Sequence, residues 1–237
     1  MGFCAAILAG GLGTRLRTVV DDRPKVMALV AGRPFIMHLL EQLSDGGISQ
    51  VVLCTGYLSD LVRKELGDTY NGMELIYSVE ESPLGTGGAL RHASGLLAGD
   101  TVLVLNGDSY CHCSVGAFTA GWLASRALAG MALARVEDVS RYGAVLTNEF
   151  SRVETFVEKG CQAGPGWINA GLYLLPADLI RRIEPDRPVS LEQEIIPQLV
   201  DGSLFGYHCP GPFIDIGVPE EYERAQQFFS VELKGKP

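Results

Sequence analysis

Residues 3–16 read Phe3-Cys4-Ala5-Ala6-Ile7-Leu8-Ala9-Gly10-Gly11-Leu12-Gly13-Thr14-Arg15-Leu16, an apolar run that stops at a cluster of glycines followed by an arginine. An uninterrupted apolar stretch of this length bounded by turn formers predicts a strand buried on both faces, as in a parallel sheet. Glycines at its carboxyl end let backbone amides approach a ligand at the sheet edge, and a triphosphate is the natural guest. A purely structural turn needs one or two glycines rather than three with Arg15 and Arg17 behind them. The segment is not a Walker A loop, because no Gly-Lys-Ser/Thr closes it, and it is not G-x-G-x-x-G, because Leu16 stands where the third glycine would fall.

Outward from this turn, short apolar runs at 3–9, 50–55, 73–79 and 101–106 alternate with helical patterns at 34–45, 58–66, 87–97 and 115–127. That rhythm predicts a parallel sheet with crossover helices. After Gly130 it changes to strand-like stretches near 131–136, 143–147, 152–157, 168–174 and 203–207, with helices near 177–183, 190–199 and 219–229. The fold class expected is α/β, a Rossmann-like three-layer sandwich with a mixed, mostly parallel central sheet. No linker separates two units, so residues 1–237 are read as a single domain, with a nucleotide-binding part over about 1–110 and a second part over about 111–230. Glu232 to Pro237 read as a loose tail.

The 237 residues carry a formal charge of -9 with 47% hydrophobic residues. Such a chain has no diffuse attraction for nucleic acid or an anionic membrane, so bound phosphate must be held by local groups. Phe3 to Ala9 has no basic leader and no apolar run approaches membrane-spanning length. Six cysteines without a secretory signal read as reduced thiols, which places the protein in the cytoplasm. Cys111-His112-Cys113 lacks the second pair that a zinc site would need.

Two acids stand out. Asp108, in Asn106-Gly107-Asp108, follows the 101–106 strand and so falls at the same carboxyl edge as the glycine turn. Asp215 is wedged in Phe213-Ile214-Asp215-Ile216-Gly217 among residues that predict strand and burial, and a buried acid needs a partner or a metal. Mg²⁺ takes one or two carboxylates and completes its shell with water and phosphate oxygens. Lys25, in Arg23-Pro24-Lys25, could neutralise charge on a transferring phosphate.

Taken together, LAGGLGTRL at 8–16, RPK at 23–25, LGTGGAL at 84–90, NGD at 106–108 and FIDIG at 213–217 resemble the sugar-1-phosphate nucleotidyltransferases, over roughly residues 3 to 229. Within that family the chain resembles the D-glycero-α-D-manno-heptose 1-phosphate guanylyltransferases through Leu16-Arg17-Thr18-Val19-Val20, Gly32-Arg33-Pro34-Phe35 and the segment 213–222. The resemblance implies a nucleotide-diphospho-sugar transferase fold in which Leu8, Ala9, Gly10, Gly11, Gly13 and Thr14, with Glu80, Pro83, Gly85 and Thr86, hold the nucleotide. It implies that Arg15 and Lys25 are catalytic and hold phosphates, that Asp108 and Asp215 bind Mg²⁺, and that Asn106, Tyr142, Gly143, Glu158, Lys159, Asn169 and Gly171 line the sugar-phosphate pocket. Val26 and Leu29 depart from the family pattern, which often carries proline at those positions.

The substrates expected are a nucleoside triphosphate and a sugar 1-phosphate, with no nucleic acid and no membrane; a homodimer is compatible with the reading. Glu80 is an acceptor-only carboxylate that could satisfy the two adjacent donors of guanine, so it favours GTP, although it could equally cap the following helix. Only the narrower resemblance selects manno-heptose. Mannose 1-phosphate with GTP, or a glucose or amino-sugar 1-phosphate with UTP or dTTP, would use the same residues. A non-catalytic nucleotide-sugar sensor is disfavoured by Arg15, Lys25, Asp108 and Asp215 occurring together. A pterin guanylyltransferase would leave the sugar-pocket segments unexplained. His38, His92, His112 and His208 are read as structural or exposed, since an already ionised phosphate needs no general base.

Overall fold

The structure is a computed structural model that describes residues 3–11, Leu16 and 23–235, with side chains as far as Val231. Leu12, Gly13, Thr14, Arg15 and Arg17, to which the sequence assigns phosphate contacts or family motifs, lie outside the described residues.

The strands are β1 (Cys4–Leu8), β2 (Leu29–Val30), β3 (Arg33–Pro34), β4 (Gln50–Thr55), β5 (Thr69–Tyr70), β6 (Met73–Val79) and β7 (Thr101–Asn106), then β8 (Ser109–Cys111), β9 (Ala129–Val136), β10 (Ala144–Thr147), β11 (Val153–Val157), β12 (Gly166–Pro176), β13 (Leu204–His208) and β14 (Phe213–Asp215). The helices are α1 (Phe35–Asp45), α2 (Ser59–Leu66), α3 (Gly85–Ala93), α4 (Val115–Ser125), α5 (Ala177–Arg181) and α6 (Pro219–Gly235).

Eight strands form the central sheet in the order β13-β9-β12-β7-β1-β4-β6-β5. β7, β1, β4 and β6 run parallel, β13 runs parallel to β9, and β12 is antiparallel to both β7 and β9. This is the mixed, mostly parallel sheet the rhythm predicts. Its inner strands β1, β4 and β7 are buried on both faces, so alternate residues feed two cores. In β1, Ala5 and Ile7 join α1, α2, α4 and α6 through Phe35, Val62, Phe118 and Phe229, whereas Cys4 and Ala6 join α3 and α5 through Leu90 and Ile180. Each large apolar side chain so buried contributes roughly 1.5–3 kcal/mol.

Three expectations are corrected. The segment 190–199 is not an α-helix: a π-helical turn over Leu191–Ile195 runs into a 3-10 turn over Ile196–Leu199. Pro197 has no N–H to give the carbonyl four residues back, which breaks the regular ladder. The α3 helix begins at Gly85 and ends at Ala93 rather than spanning 87–97. Finally, α6 continues through Gly235, into the segment read as a loose tail.

β8 and β14 pair antiparallel outside the main sheet, with Asp215 opposite Ser109. This short ribbon decides the site, because it sets residues more than a hundred positions apart side by side.

Candidate active site

The register of the parallel strands brings the first two motifs together: Leu8 at the end of β1 lies opposite Asn106 at the end of β7. The Gly107 N–H donates to the Leu8 carbonyl at 2.9 Å. A Cβ on Gly107 would stand 2.6 Å from that oxygen, so the close approach requires glycine. Immediately beyond, a cavity of about 440 Å³ opens at the carboxyl edge of the sheet. Leu8, Gly10 and Gly11 form one wall, Lys25, Asn106 and Asp108 a second, and Glu80, Pro83, Gly85 and Thr86 a third.

Asp108, immediately before β8, and Asp215, at the end of β14, are brought together by the ribbon, where the Ile216 N–H also donates to the Asp108 carbonyl at 2.9 Å. Lys25, on a 3-10 turn whose Val26 and Met27 are buried, delivers its Nζ to Asp108 Oδ2 at 2.6 Å. Its side chain is only 10% exposed against 41% for Asp108, so the ammonium is held rather than waving in solvent. The Asp215 carboxyl is pushed above its usual range, first by burial and then by the like charge of Asp108, with Lys25 opposing. The Gly217 N–H donates to Asp215 Oδ1 at 2.7 Å. A Cβ on Gly217 would meet Asp215 Oδ1 at 2.7 Å and Lys25 Nζ at 3.2 Å. Two carboxylates crowded together with one ammonium are a hard-oxygen donor set that a divalent cation would relieve. Among the described residues no third His, Cys, Asp or Glu joins them, which leaves room for phosphate oxygens and water.

Glu80 projects across the glycine turn. A Cβ on Gly10 would stand 2.5 Å from Glu80 Oε1, so a side chain at Gly10 would displace this carboxylate. Glu80 Oε2 accepts from the Leu84 N–H at 3.2 Å, so the carboxylate also fastens the loop ahead of α3. Burial raises the Glu80 carboxyl, against the opposing Leu84 N–H and His92. Gly85 has φ +71° and its Cβ would meet the Val189 carbonyl at 2.5 Å; both facts demand glycine at the start of α3.

The residues assigned to the sugar phosphate divide into two groups. Tyr142 packs edge-on against Phe213, and Asp215 helps burial to raise its hydroxyl, so it borders the acid pair. Gly143, at φ +81°, underlies the backbone of Glu158 and Lys159, whose side chains are exposed. Asn169 and Gly171 lie at an irregularity of β12 between Asn169 and Tyr173. Asn169 is engaged at both ends, its Nδ2 donating to the Tyr173 hydroxyl at 2.8 Å and its Oδ1 accepting from the Gly171 N–H at 3.0 Å. A Cβ on Gly171 would stand 2.8 Å from Asn106 Nδ2 and from Ser109 Oγ, so its bareness lets Asn106 sit where it does.

The nucleotidyl transferase family model matches residues 4–231. The chain belongs to this family. It is 35% identical to the D-glycero-α-D-manno-heptose 1-phosphate guanylyltransferase of Aneurinibacillus thermoaerophilus, over 94% of this chain and 96% of that one. It is 38% identical to the mannose-1-phosphate guanylyltransferase of Mycobacterium tuberculosis over 93% of this chain, but spans only 62% of that relative. The crystal structure of HddC from Yersinia pseudotuberculosis superposes with a TM-score of 0.85 at 34% identity, covering 96% of this chain and 99% of that one, and the same protein is known in complex with GMP-PN. The nucleotidyltransferase fold read from the motifs is thus the fold observed.

Sequence reasoning missed Gly217, although it quoted the motif containing it, and missed Glu192. Glu192 accepts from Thr86 Oγ1 at 2.7 Å and approaches Asn106 and Tyr173. In the sequence it is one of two acids, with Glu194, in a segment read as a helix over 190–199, and nothing there distinguishes it.

Proposed function

We propose that the protein transfers a guanylyl group from GTP to D-glycero-α-D-manno-heptose 1-phosphate, giving GDP-heptose and pyrophosphate. An ionised oxygen of the sugar phosphate attacks the α-phosphorus, and the bond from that phosphorus to the β-phosphate bridging oxygen breaks. The observation that carries this reading is the Asp108–Asp215–Lys25 cluster at the mouth of the glycine-turn cavity. Similarity to a heptose 1-phosphate guanylyltransferase across nearly the whole of both chains supports the substrates.

Mg²⁺, held by Asp108 and Asp215, would neutralise phosphate charge as it shifts toward pyrophosphate. Lys25 offsets the repulsion between the two acids and offers its remaining N–H donors to a phosphate oxygen. Glu80 presents Oε1 to the donor edge of guanine while Oε2 stays on the Leu84 amide. Arg15 grips the departing pyrophosphate. Tyr142, Gly143, Glu158 and Lys159 receive the sugar phosphate. No side chain needs to take a proton, so the task is positioning and electrostatics. All six cysteines are free thiols and, among the described residues, no helix is long and apolar enough to cross a membrane, which supports a cytoplasmic enzyme.

A second reading, with mannose 1-phosphate as acceptor, is supported by the similarity to the mycobacterial enzyme. Pyrophosphate release from a panel of GTP, UTP, dTTP and CTP against heptose, mannose and glucose 1-phosphates, with and without Mg²⁺, tests both. The expected result is GTP- and heptose-dependent turnover abolished by chelation; turnover confined to UTP or dTTP would remove the guanylyl assignment.

A further inference from the structure

Glu192 reaches the nucleotide cavity only through other residues, and its neighbours define what it does there. Thr86 Oγ1 donates to Glu192 Oε2 at 2.7 Å and accepts from the Leu191 N–H at 2.8 Å. Ser190 Oγ donates to the same oxygen at 3.3 Å, while the Tyr173 hydroxyl and Asn106 Nδ2 both point at Oε1 from 3.5 Å. The carboxylate sits on the π-helical turn that packs against α3, and such turns recur at functional sites.

A carboxylate is acceptor-only, so every group facing it must turn a hydrogen toward it. Thr86 therefore spends its single proton on Glu192 and keeps one lone pair. Asn106 turns its amide nitrogen toward Glu192 at 3.5 Å, the orientation an acceptor-only carboxylate favours, and the other end of the amide is then the carbonyl oxygen. That oxygen, Asn106 Oδ1, has almost no exposure to solvent and no hydrogen-bond partner among the described residues, so a ligand hydroxyl reaches it through a small turn of the Asn106 side chain at the cavity wall. An orphaned acceptor of this kind is rare in folded proteins and calls for a partner. Both Thr86 and Asn106 line the cavity.

We infer that Glu192 is a positioning residue which makes this stretch of cavity wall acceptor-only, so that it receives a substrate hydroxyl and turns away phosphate oxygens. The wall then orients the substrate: phosphates go to the Lys25–Asp108 side, and a donor hydroxyl goes to Thr86 and Asn106. The inference rests on the proposed substrates only for where that hydroxyl comes from, which is the ribose of the nucleotide or the ring of the sugar phosphate. Isosteric Glu192→Gln would break the arrangement. Its amide nitrogen needs an acceptor, which Asn106 supplies by flipping, and the wall would then present a donor.

The test is equilibrium binding by calorimetry, which needs no turnover and so stays informative even if the proposed reaction fails the substrate panel. The wild-type protein and Glu192→Gln are titrated with GTP, 2′-deoxy-GTP and 3′-deoxy-GTP, and with mannose 1-phosphate and its monodeoxy analogues. In the wild type, one analogue should bind about tenfold or more weaker than its parent, because its missing hydroxyl leaves a buried acceptor unpaired; which analogue does so identifies the source. In Glu192→Gln that ratio should fall toward one. A merely structural role would weaken parent and analogue alike and leave the ratio unchanged. Thr86→Val, which removes one acceptor without touching Glu192, should reduce the same ratio and serves if Glu192→Gln does not fold. Equal binding of all analogues to the wild type, or an undiminished ratio in whichever variant folds, would overturn the inference.

Discussion

Gly217→Ala adds one methyl group and no charge, yet it strikes two functional groups at once. The new Cβ would stand 2.7 Å from Asp215 Oδ1 and 3.2 Å from Lys25 Nζ, whereas ordinary van der Waals contact begins at 3.4 Å. Gly217 does not require a left-handed conformation, so the effect is one of space alone. The Asp215 carboxylate must retreat by about 0.7 Å, and the 2.7 Å bond from the Gly217 N–H that orients it is strained or lost. Overpacking of this kind typically costs about 1–3 kcal/mol of stability. A displacement approaching 1 Å at a reacting centre costs on the order of 10²-fold in rate. The expected outcome is a folded enzyme with a modestly lowered Tm, kcat reduced roughly 10- to 100-fold, in line with that scaling, and a higher Mg²⁺ concentration at half-maximal rate. Pyrophosphate release measured across a Mg²⁺ titration reads both quantities. Wild-type kcat with an unchanged Mg²⁺ midpoint would refute the placement of Asp215 and Lys25 at the reaction centre.

Asp108→Asn should nearly abolish turnover while nucleotide binding, measured by calorimetry, is partly kept; normal turnover removes the metal assignment. Lys25→Met should slow single-turnover transfer by on the order of 10²–10³, the usual cost of one preorganised charge, and an unchanged single-turnover rate counts against its role. Removing Lys25 also removes the cation that opposes the raised Asp215 carboxyl, so the acid limb of the residual rate should move to higher pH. Burial raises the Glu80 carboxyl, so as pH falls it takes up a proton before an ordinary carboxylate would, and the protonated acid loses an acceptor for guanine. The KM for GTP should therefore climb on the acid side at a pH above the normal carboxylate range, and Glu80→Gln should flatten that limb; an identical limb in the variant excludes Glu80 as its source.

Much of this protein is legible in local sequence. Apolar runs set the parallel strands β1, β4 and β7, because a strand buried on both faces has no polar side to show, whereas β6, next to the edge strand, mixes buried and exposed residues. The glycine turn, Lys25, Asp108 and Asp215 could all be singled out as candidates, Asp215 because a buried acid is costly without a partner, and Lys25 only through the company it keeps. Their meeting was expected only from the family resemblance. It depends on the register Leu8 opposite Asn106 and on the β8–β14 ribbon, pairings made across long separations that no local pattern encodes. The same holds for Glu192, whose role exists only because α3, β7 and β12 converge on it. Gly10 shows the difference most plainly: the sequence says that a side chain is unwanted there, and only the folded chain says that the space belongs to Glu80. Residue identity follows from the demands of a local environment, but which groups share that environment is set by packing between distant segments.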